Sequence, residues 1–397
     1  NVKFQGVYMK FAKRLSMIPP YPFVEISRKI ASKKAEGIDV ISFGIGDPDI
    51  ATPDFIIKSL EQAATNPINH RYPESDGLPE FKKAVADWYK NRFGVDLQPD
   101  SEVISLIGAK EGIGHASFCF IEDGDIALVP DPGYPVYSVG TMFASGETYL
   151  MPLKKENDFL PDLDSIPEDV AKKATVMWLN YPNNPTGAVA DLDFFNQVVE
   201  FGKKFEIAIL HDACYSEIAY DGYQPISFMQ APGAKEIGLE FQSLSKSHNM
   251  TGWRIGMAVG NADIIDSLMV IKSNLDSGVP QAIQQMAISA LSTENEWETT
   301  RNQIYQRRRD LLCDSLKNLG LEVEAPKASL YVWVPIPDGY TSAGFSEAIL
   351  EGCDIVVSPG SSYGDNGEGF IRFSLTLSDS DLDRAVKRLN SWKIPNS

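Results

Sequence analysis

Leu239-Glu240-Phe241-Gln242-Ser243-Leu244-Ser245-Lys246 is a short, largely apolar run that passes directly into two serines and a lysine. A run of this length with a polar end reads as a buried strand. Three other segments repeat the pattern. Residues 126–129 lead into Asp131-Pro132-Gly133-Tyr134, and residues 175–179 into Asn180-Tyr181-Pro182-Asn183-Asn184-Pro185-Thr186-Gly187. Residues 207–210 lead into His211-Asp212-Ala213-Cys214-Tyr215. Between such runs lie amphipathic stretches such as 192–205, where Phe194, Phe195, Val198, Val199 and Phe201 supply an apolar face. Strand–helix alternation predicts an α/β fold with a mainly parallel central sheet sandwiched by helices. In open sheets of this kind ligands gather outside the carboxyl ends of the strands, so the four clusters are predicted to converge on one pocket.

The side chains at those ends carry chemistry. A lysine buried at a strand end loses basicity through desolvation and becomes a competent amine nucleophile. Eight residues beyond Lys246, in Met250-Thr251-Gly252-Trp253-Arg254-Ile255-Gly256, Arg254 offers a planar fork suited to phosphate, with Ser243 and Ser245 as further donors. Asp212 closes an apolar run and needs a cation or several donors to be tolerated there. Taken singly, Lys246 also fits a surface lysine, and Asp212 a helix cap or a turn. Gly108-Ala109-Lys110 is predicted to open a helix whose backbone N–H groups favour an anion. It is neither a Walker loop nor a dinucleotide fingerprint.

Composition narrows the field. The 397 residues carry 54 acidic against 36 basic side chains, a net charge of −18, with no lysine or arginine run longer than the triplet Arg307-Arg308-Arg309. That balance argues against nucleic acid as a partner. No apolar stretch approaches the ~18 residues of a membrane span. Cys119, Cys214, Cys313 and Cys353 are scattered as reduced thiols would be, which points to a cytoplasmic protein. His70, His115, His211 and His248 lack metal-ligand spacing, so no metal is expected; His211 is read as orienting or shielding Asp212. Residues 1–8, with Phe4-Gln5-Gly6, read as a tag remnant. Residues 9–47 are taken as an N-terminal arm and part of a small domain, 48–286 as the large domain, and 287–397 as a C-terminal small domain, so the smaller α+β unit uses both chain ends.

Ser243-x-Ser245-Lys246 with Thr251-Gly252-Trp253-Arg254-x-Gly256 resembles the lysine signature of class I/II aminotransferases, fold type I of the pyridoxal-phosphate enzymes. Asp131-x-Gly133-Tyr134-Pro135, Asn184-Pro185-Thr186-Gly187, Asp212-x-x-Tyr215 and Phe370-Ile371-Arg372-Phe373-Ser374 are similar to that family's other motifs, in its order. The likeness runs from about Pro19 to the C-terminus. It implies pyridoxal 5′-phosphate as cofactor, bound covalently by Lys246, which would also carry the proton moved during catalysis. Asp212 would pair with the ring nitrogen, Tyr215 and Asn184 with the ring's phenolic oxygen, and Tyr134 with the ring face. Ala109, Lys110, Ser243, Ser245 and Arg254 would hold the phosphate, joined by Tyr72 from a neighbouring subunit. A homodimer with shared active sites follows. Arg372, Asn184 and Gly46 would take the substrate carboxylate.

The run of sequence is most similar to the LL-diaminopimelate aminotransferases, notably over 70–77, 106–112, 130–137 and 243–259. The resemblance implies transfer of nitrogen between an amino acid, LL-2,6-diaminopimelate above all, and 2-oxoglutarate. Tyr21 would help read the far end of the substrate, and Asn274 falls where the family places a substrate-binding asparagine of the partner subunit. One departure stands out: Ser75 occupies a position where some members carry a glutamate, with Glu74 and Asp76 on either side. Alternatives are specificity for alanine, aspartate or an aromatic amino acid, a pyridoxal-phosphate lyase, or a sensor domain without catalysis.

Overall fold

The computed structural model describes residues 11–18, 22–293 and 296–395; the predicted tag remnant and Tyr21 lie outside them. A seven-stranded sheet forms the centre: β1 (Val103–Leu106), β2 (Ile126–Asp131), β3 (Glu147–Pro152), β4 (Ala174–Asn180), β5 (Ala208–Asp212), β6 (Gly238–Ser243) and β7 (Gly256–Gly260), in the spatial order β1-β7-β6-β5-β4-β2-β3. β7 runs antiparallel to both its neighbours, and the other adjacent pairs are parallel. The sheet is thus mixed where alternation alone predicted only a mainly parallel one. The reason is local. A parallel connection needs a crossover of about a dozen residues or more, usually a helix across the sheet face. The link from β6 to β7 is long enough, but it holds only the one-turn helix Leu244–Ser247 and the 3-10 turn Thr251–Trp253 and no helix that could cross the sheet face, so the chain doubles back.

The central strands β4 and β6 are buried on both faces, as continuous apolar runs under two helical layers should be. The helix Leu192–Phe205 shows how such a layer is made. The Asp191 carboxylate accepts the Phe194 N–H at 2.8 Å to cap it, and Phe194, Phe195, Val198 and Val199 press into the core. The edge strand β3 is mostly uncovered.

A smaller antiparallel sheet is built from β8 (Tyr331–Pro335), β9 (Ser358–Pro359) and β10 (Phe370–Ser374), in the order β9-β10-β8. Its apolar cluster includes Val332, Val334, Phe345, Ile371 and Phe373, together with Ile41 and Phe43 from near the start of the chain. Ile41–Ser42 pairs in parallel with Ile355–Val356. Arg308, in the long helix Trp297–Asn318, grips Asp49 through both terminal nitrogens (2.7 and 2.9 Å) and Asp379 through Nε (2.8 Å). Its planar fork thereby ties residues near the two chain ends. Among the described residues, no helix is long and apolar enough to cross a membrane.

Candidate active site

The carboxyl ends of β2, β4, β5 and β6 do meet. They open on a cavity of about 280 Å3 lined by Tyr134, Asn184, Asp212, Tyr215, Ser243 and Ser245, by Lys246 and Arg254, and by Gly46, Ala109 and Lys110. β6 ends at Ser243, whose hydroxyl accepts the Ser245 N–H at 3.2 Å and starts the turn that carries Lys246. Lys246 Nζ donates to the Gly46 carbonyl at 2.6 Å. Burial lowers its pKa from 10.5 to about 8, opposed by the carboxylate of Asp47 and reinforced by the guanidinium groups of Arg254 and Arg372. Beneath it, the guanidinium of Arg301 donates to the Lys246 carbonyl at 3.0 Å and to that of Ser247, which fixes the turn.

Arg254 takes a left-handed backbone conformation (φ +52°), and its Nη1 donates to the Thr251 carbonyl at 2.8 Å and to Ser245 Oγ at 3.4 Å. The helix Ala109–Phe120 starts directly in front of this guanidinium. Its cap residue Gly108 has φ +74°, and a Cβ there would lie 2.3 Å from Arg254 Nη2. A helix N-terminus, two serine hydroxyls and an arginine in one concavity form a polyanion cradle.

Asp212 sits at the end of β5 and is only 5% exposed. Its Oδ2 accepts from the Tyr137 hydroxyl at 2.8 Å and its Oδ1 from the Cys214 N–H at 3.3 Å. Tyr137 is stacked on Trp178 at 4.8 Å. Burial, then the nearby Asp212 charge, drive its pKa well above that of an ordinary tyrosine, so it stays a donor. Asn180 braces the same corner: its Nδ2 donates to the Asp212 carbonyl at 2.7 Å, and its Oδ1 accepts the Asn184 N–H at 2.8 Å. The Asn184 side chain is thereby aimed at Arg372, whose Nη1 donates to Asn184 Oδ1 at 2.8 Å while Nη2 donates to the Gly44 carbonyl at 2.8 Å. Arg372 is fully buried and does not itself line the cavity, but it contacts Asn184 and Tyr331, which do.

A family model described as aminotransferase class I and II matches residues 38–389. The chain belongs to the class I and II aminotransferases. This aminotransferase is 58% identical over 385 residues to the LL-diaminopimelate aminotransferase of Dehalococcoides mccartyi, covering 97% of this chain and 99% of the relative. It is 54% identical over 381 residues to that of Moorella thermoacetica, covering 96% and 98%. Among solved structures, substrate-bound BacF of Bacillus subtilis superposes with a TM-score of 0.92 at 39% identity, covering 98% of this chain and 99% of that one. A probable N-succinyldiaminopimelate aminotransferase of Thermus thermophilus gives 0.88 at 33%, covering 93% and 99%. The protein is a pyridoxal-phosphate-dependent transaminase that takes amino-acid and 2-oxo-acid substrates.

The cavity of this aminotransferase fits that cofactor on its own geometry. The anion cradle takes a phosphate, Asp212 lines the cavity as a partner for a cationic ring nitrogen, and Lys246 lines it too, with its amine held at the carbonyl of Gly46. Tyr72 and Asn274 are not brought to the cavity within one chain. Tyr72 is 92% exposed, and Asn274 lies exposed on the helix Ala262–Leu275, its Nδ2 donating to the Val270 carbonyl at 2.8 Å. Near Ser75, Asp76 is held by Lys82 Nζ at 2.5 Å while Glu74 is exposed.

His211 corrects its sequence reading. Side chains alternate along a strand, so it faces away from Asp212. The Tyr181 N–H donates to its Nε2 at 3.2 Å, which leaves Nδ1 to donate to Glu240 at 2.9 Å. Burial pushes the Glu240 pKa up, but the hydrogen bonds from His211, Ser227 and Tyr89 outweigh it and hold the carboxyl below its usual value.

One cluster of possible metal ligands occurs among the described residues: Glu111, His115 and Asp276. Lys272 Nζ already sits 2.8 and 3.0 Å from the two Glu111 oxygens, and none of these groups lines the cavity, so the cluster is an ion-pair network. The sequence reading missed Tyr331, Tyr137, Asn180 and Arg301. Tyr137 lies one residue into the helix Val136–Phe143 that follows the Asp131-Pro132-Gly133-Tyr134 strand end, and no motif of the sequence marked it.

Proposed function

We propose that this aminotransferase moves the amino group between LL-2,6-diaminopimelate and 2-oxoglutarate, a step of lysine biosynthesis, as a cytoplasmic homodimer with shared active sites. The observation that carries the substrate is the 58% identity, over nearly the full length of both chains, to a protein named for that reaction. Four unbridged cysteines fit the reducing cytoplasm. The dimer is supported by the surface around Asn274 and Tyr72, where Val270 and Leu275 are 60% and 62% exposed on the helix that carries Asn274.

When bound, pyridoxal phosphate supplies the electron sink for bond changes at the amino-acid α-carbon. In this reading the chain's own groups do the rest. Lys246 Nζ attaches the cofactor and later holds the proton taken from the substrate α-carbon; its lowered pKa keeps part of the amine free near neutrality. Asp212 keeps the ring nitrogen protonated, with Tyr137 and the Cys214 N–H orienting its two oxygens. Tyr215 and Asn184 donate to the ring oxygen, and Tyr134 covers the ring face. Ala109, Lys110, Ser243, Ser245 and Arg254 hold the phosphate, with the partner's copy of Tyr72. Arg372 and Asn184, with the backbone at Gly46, orient the α-carboxylate common to donor and acceptor. Tyr21 is assigned to the distal end of the substrate, and the partner's copy of Asn274 to substrate binding.

The test is a coupled assay of amino donors with 2-oxoglutarate that includes LL-diaminopimelate, alanine, aspartate and phenylalanine. The proposal expects LL-diaminopimelate to have the highest kcat/KM, and a sedimentation mass of twice the chain. A higher value for any of the other donors overturns the substrate, and a monomer overturns the shared site.

A further inference from the structure

Tyr331 lies outside every motif, yet it is where the two halves of the site touch. It sits on β8, across from β10, in a register that pairs Arg372 with Trp333 and Ser374 with Tyr331. Tyr331 and Trp333 therefore share the sheet face of Arg372, with Tyr331 diagonal to it. The arginine's guanidinium lies over the Tyr331 ring, 4.1 Å from its centroid. At its other end the Tyr331 hydroxyl lines the cavity, 3.0 Å from the hydroxyl of Tyr215. It also lies against Gly46, where a Cβ would come within 2.1 Å of that oxygen. One side chain thus touches the arginine assigned to the carboxylate, the tyrosine assigned to the ring oxygen, and the glycine whose carbonyl holds Lys246.

The two hydroxyls share one hydrogen bond, so the direction of the proton matters. Burial, then the neighbouring Tyr331, hold Tyr215 far above an ordinary tyrosine pKa, so Tyr215 keeps its proton. If Tyr215 donates that proton to the cofactor's phenolic oxygen, its own oxygen is left to accept. Tyr331 is then the donor, and the pair forms a chain, Tyr331 to Tyr215 to ring oxygen, in which each link strengthens the next. A ring oxygen drained of charge by a strong donor attracts the proton on the lysine-linked nitrogen less.

We propose that Tyr331 is a positioning residue with two separable effects: its hydroxyl polarises Tyr215 toward the cofactor oxygen, and its ring supports the guanidinium of Arg372. The inference rests on the assignment of Tyr215 to the ring oxygen made under the proposed function, and the experiment distinguishes the two.

The holoenzyme is titrated from pH 5 to 10 while its visible absorption is followed, and KM is measured for the amino donor and for 2-oxoglutarate. In Tyr331→Phe the ring remains and the hydroxyl is lost. The titration midpoint is expected to rise by about half a unit to one unit, one unit being a tenfold change in proton affinity, with both KM values within twofold of wild type. In Tyr331→Leu the same rise is expected, with both KM values raised about three- to tenfold, because the nearer ring under Arg372 is gone while Tyr363, at 4.8 Å, still supports the guanidinium. Tyr215→Phe serves as the reference and is expected to shift the midpoint at least as far as Tyr331→Phe. A shift in Tyr215→Phe but none in Tyr331→Phe overturns the hydroxyl effect alone. No shift in either overturns the assignment of Tyr215 and this inference with it. Wild-type KM values in Tyr331→Leu overturn the support of Arg372.

Discussion

Gly108→Ala tests the anion cradle most directly, because the structure separates its two costs. Gly108 has φ +74° and ψ +151°, a combination open almost only to glycine. An alanine forced into it costs on the order of 1–3 kcal/mol of folding stability. The added Cβ would also come 2.3 Å from Arg254 Nη2, whereas ordinary contacts start near 3.4 Å. The guanidinium is the far end of a flexible side chain and moves about 1 Å at little cost to the fold. Its contact with an anion does not survive the move, because a hydrogen bond of about 2.9 Å stretched by that amount passes its limit. A bond to a charged group contributes about 1.5–3 kcal/mol, which corresponds to a loss of affinity of roughly 10- to 150-fold. The assay is equilibrium titration of the cofactor-free protein with pyridoxal phosphate, beside thermal unfolding. Gly252→Ala is the control from the same signature, since Gly252 has neither a positive φ nor any atom within 4 Å of its added Cβ. Wild-type cofactor affinity in Gly108→Ala, or an equal loss in Gly252→Ala, would refute the placement of the phosphate between Gly108 and Arg254.

Two further outcomes follow from the site. With the Lys246 pKa lowered to about 8 rather than 10.5, the free-amine fraction rises about tenfold per pH unit below 8 and levels off above it. The rate at which cofactor-free protein captures pyridoxal phosphate, followed by stopped-flow absorbance, is expected to do the same; a rate still climbing steeply at pH 10 contradicts the burial argument. Arg372→Lys keeps a charge but loses the fork that reaches Asn184 and the Gly44 carbonyl together. KM for amino donor and 2-oxo acceptor is expected to rise together by about ten- to a hundredfold, and steady-state kinetics showing a change for one substrate only would exclude Arg372 from the shared carboxylate contact.

The sequence was most informative where chemistry stands at the end of an apolar run. Lys246, Asp212, Asn184 and Tyr134 each follow such a run, and the carboxyl ends of parallel strands meet by geometry, so their convergence was legible. Arg254 was legible through its spacing from Lys246, but the reversal of β7 was not, because a strand's direction depends on what the connecting loop can span. β1 was missed because four residues carry little periodicity, and β3 because an uncovered edge strand lacks the apolar run of its neighbours. Tyr331 was hidden for the opposite reason. Inside Tyr331-Val332-Trp333-Val334 it reads as core, and only the packing of the small sheet over the cavity exposes its hydroxyl to the site. The alternation that places His211 away from Asp212 was available in the sequence, although adjacency in the chain suggested contact.

The reversal of β7 also bears on the order in which the molecule assembles. Because β6 and β7 are antiparallel neighbours, with Ser243 opposite Gly256, Lys246 and Arg254 lie within one hairpin closed by a short loop. The Lys246–Gly46 contact joins residues 200 positions apart, and Arg372–Asn184 joins residues 188 apart. Closing a loop costs more entropy the longer it is, and long-range contacts are slow to form. Four of the groups assigned to the cofactor, Ser243, Ser245, Lys246 and Arg254, are therefore written into one local piece of chain, whereas Asp212, Ala109 and the Arg372–Asn184 pair reach the same site only through contacts distant in sequence. The lysine and the arginine of the signature are thus set side by side by local chain, and the rest of the site closes around them as distant segments pack.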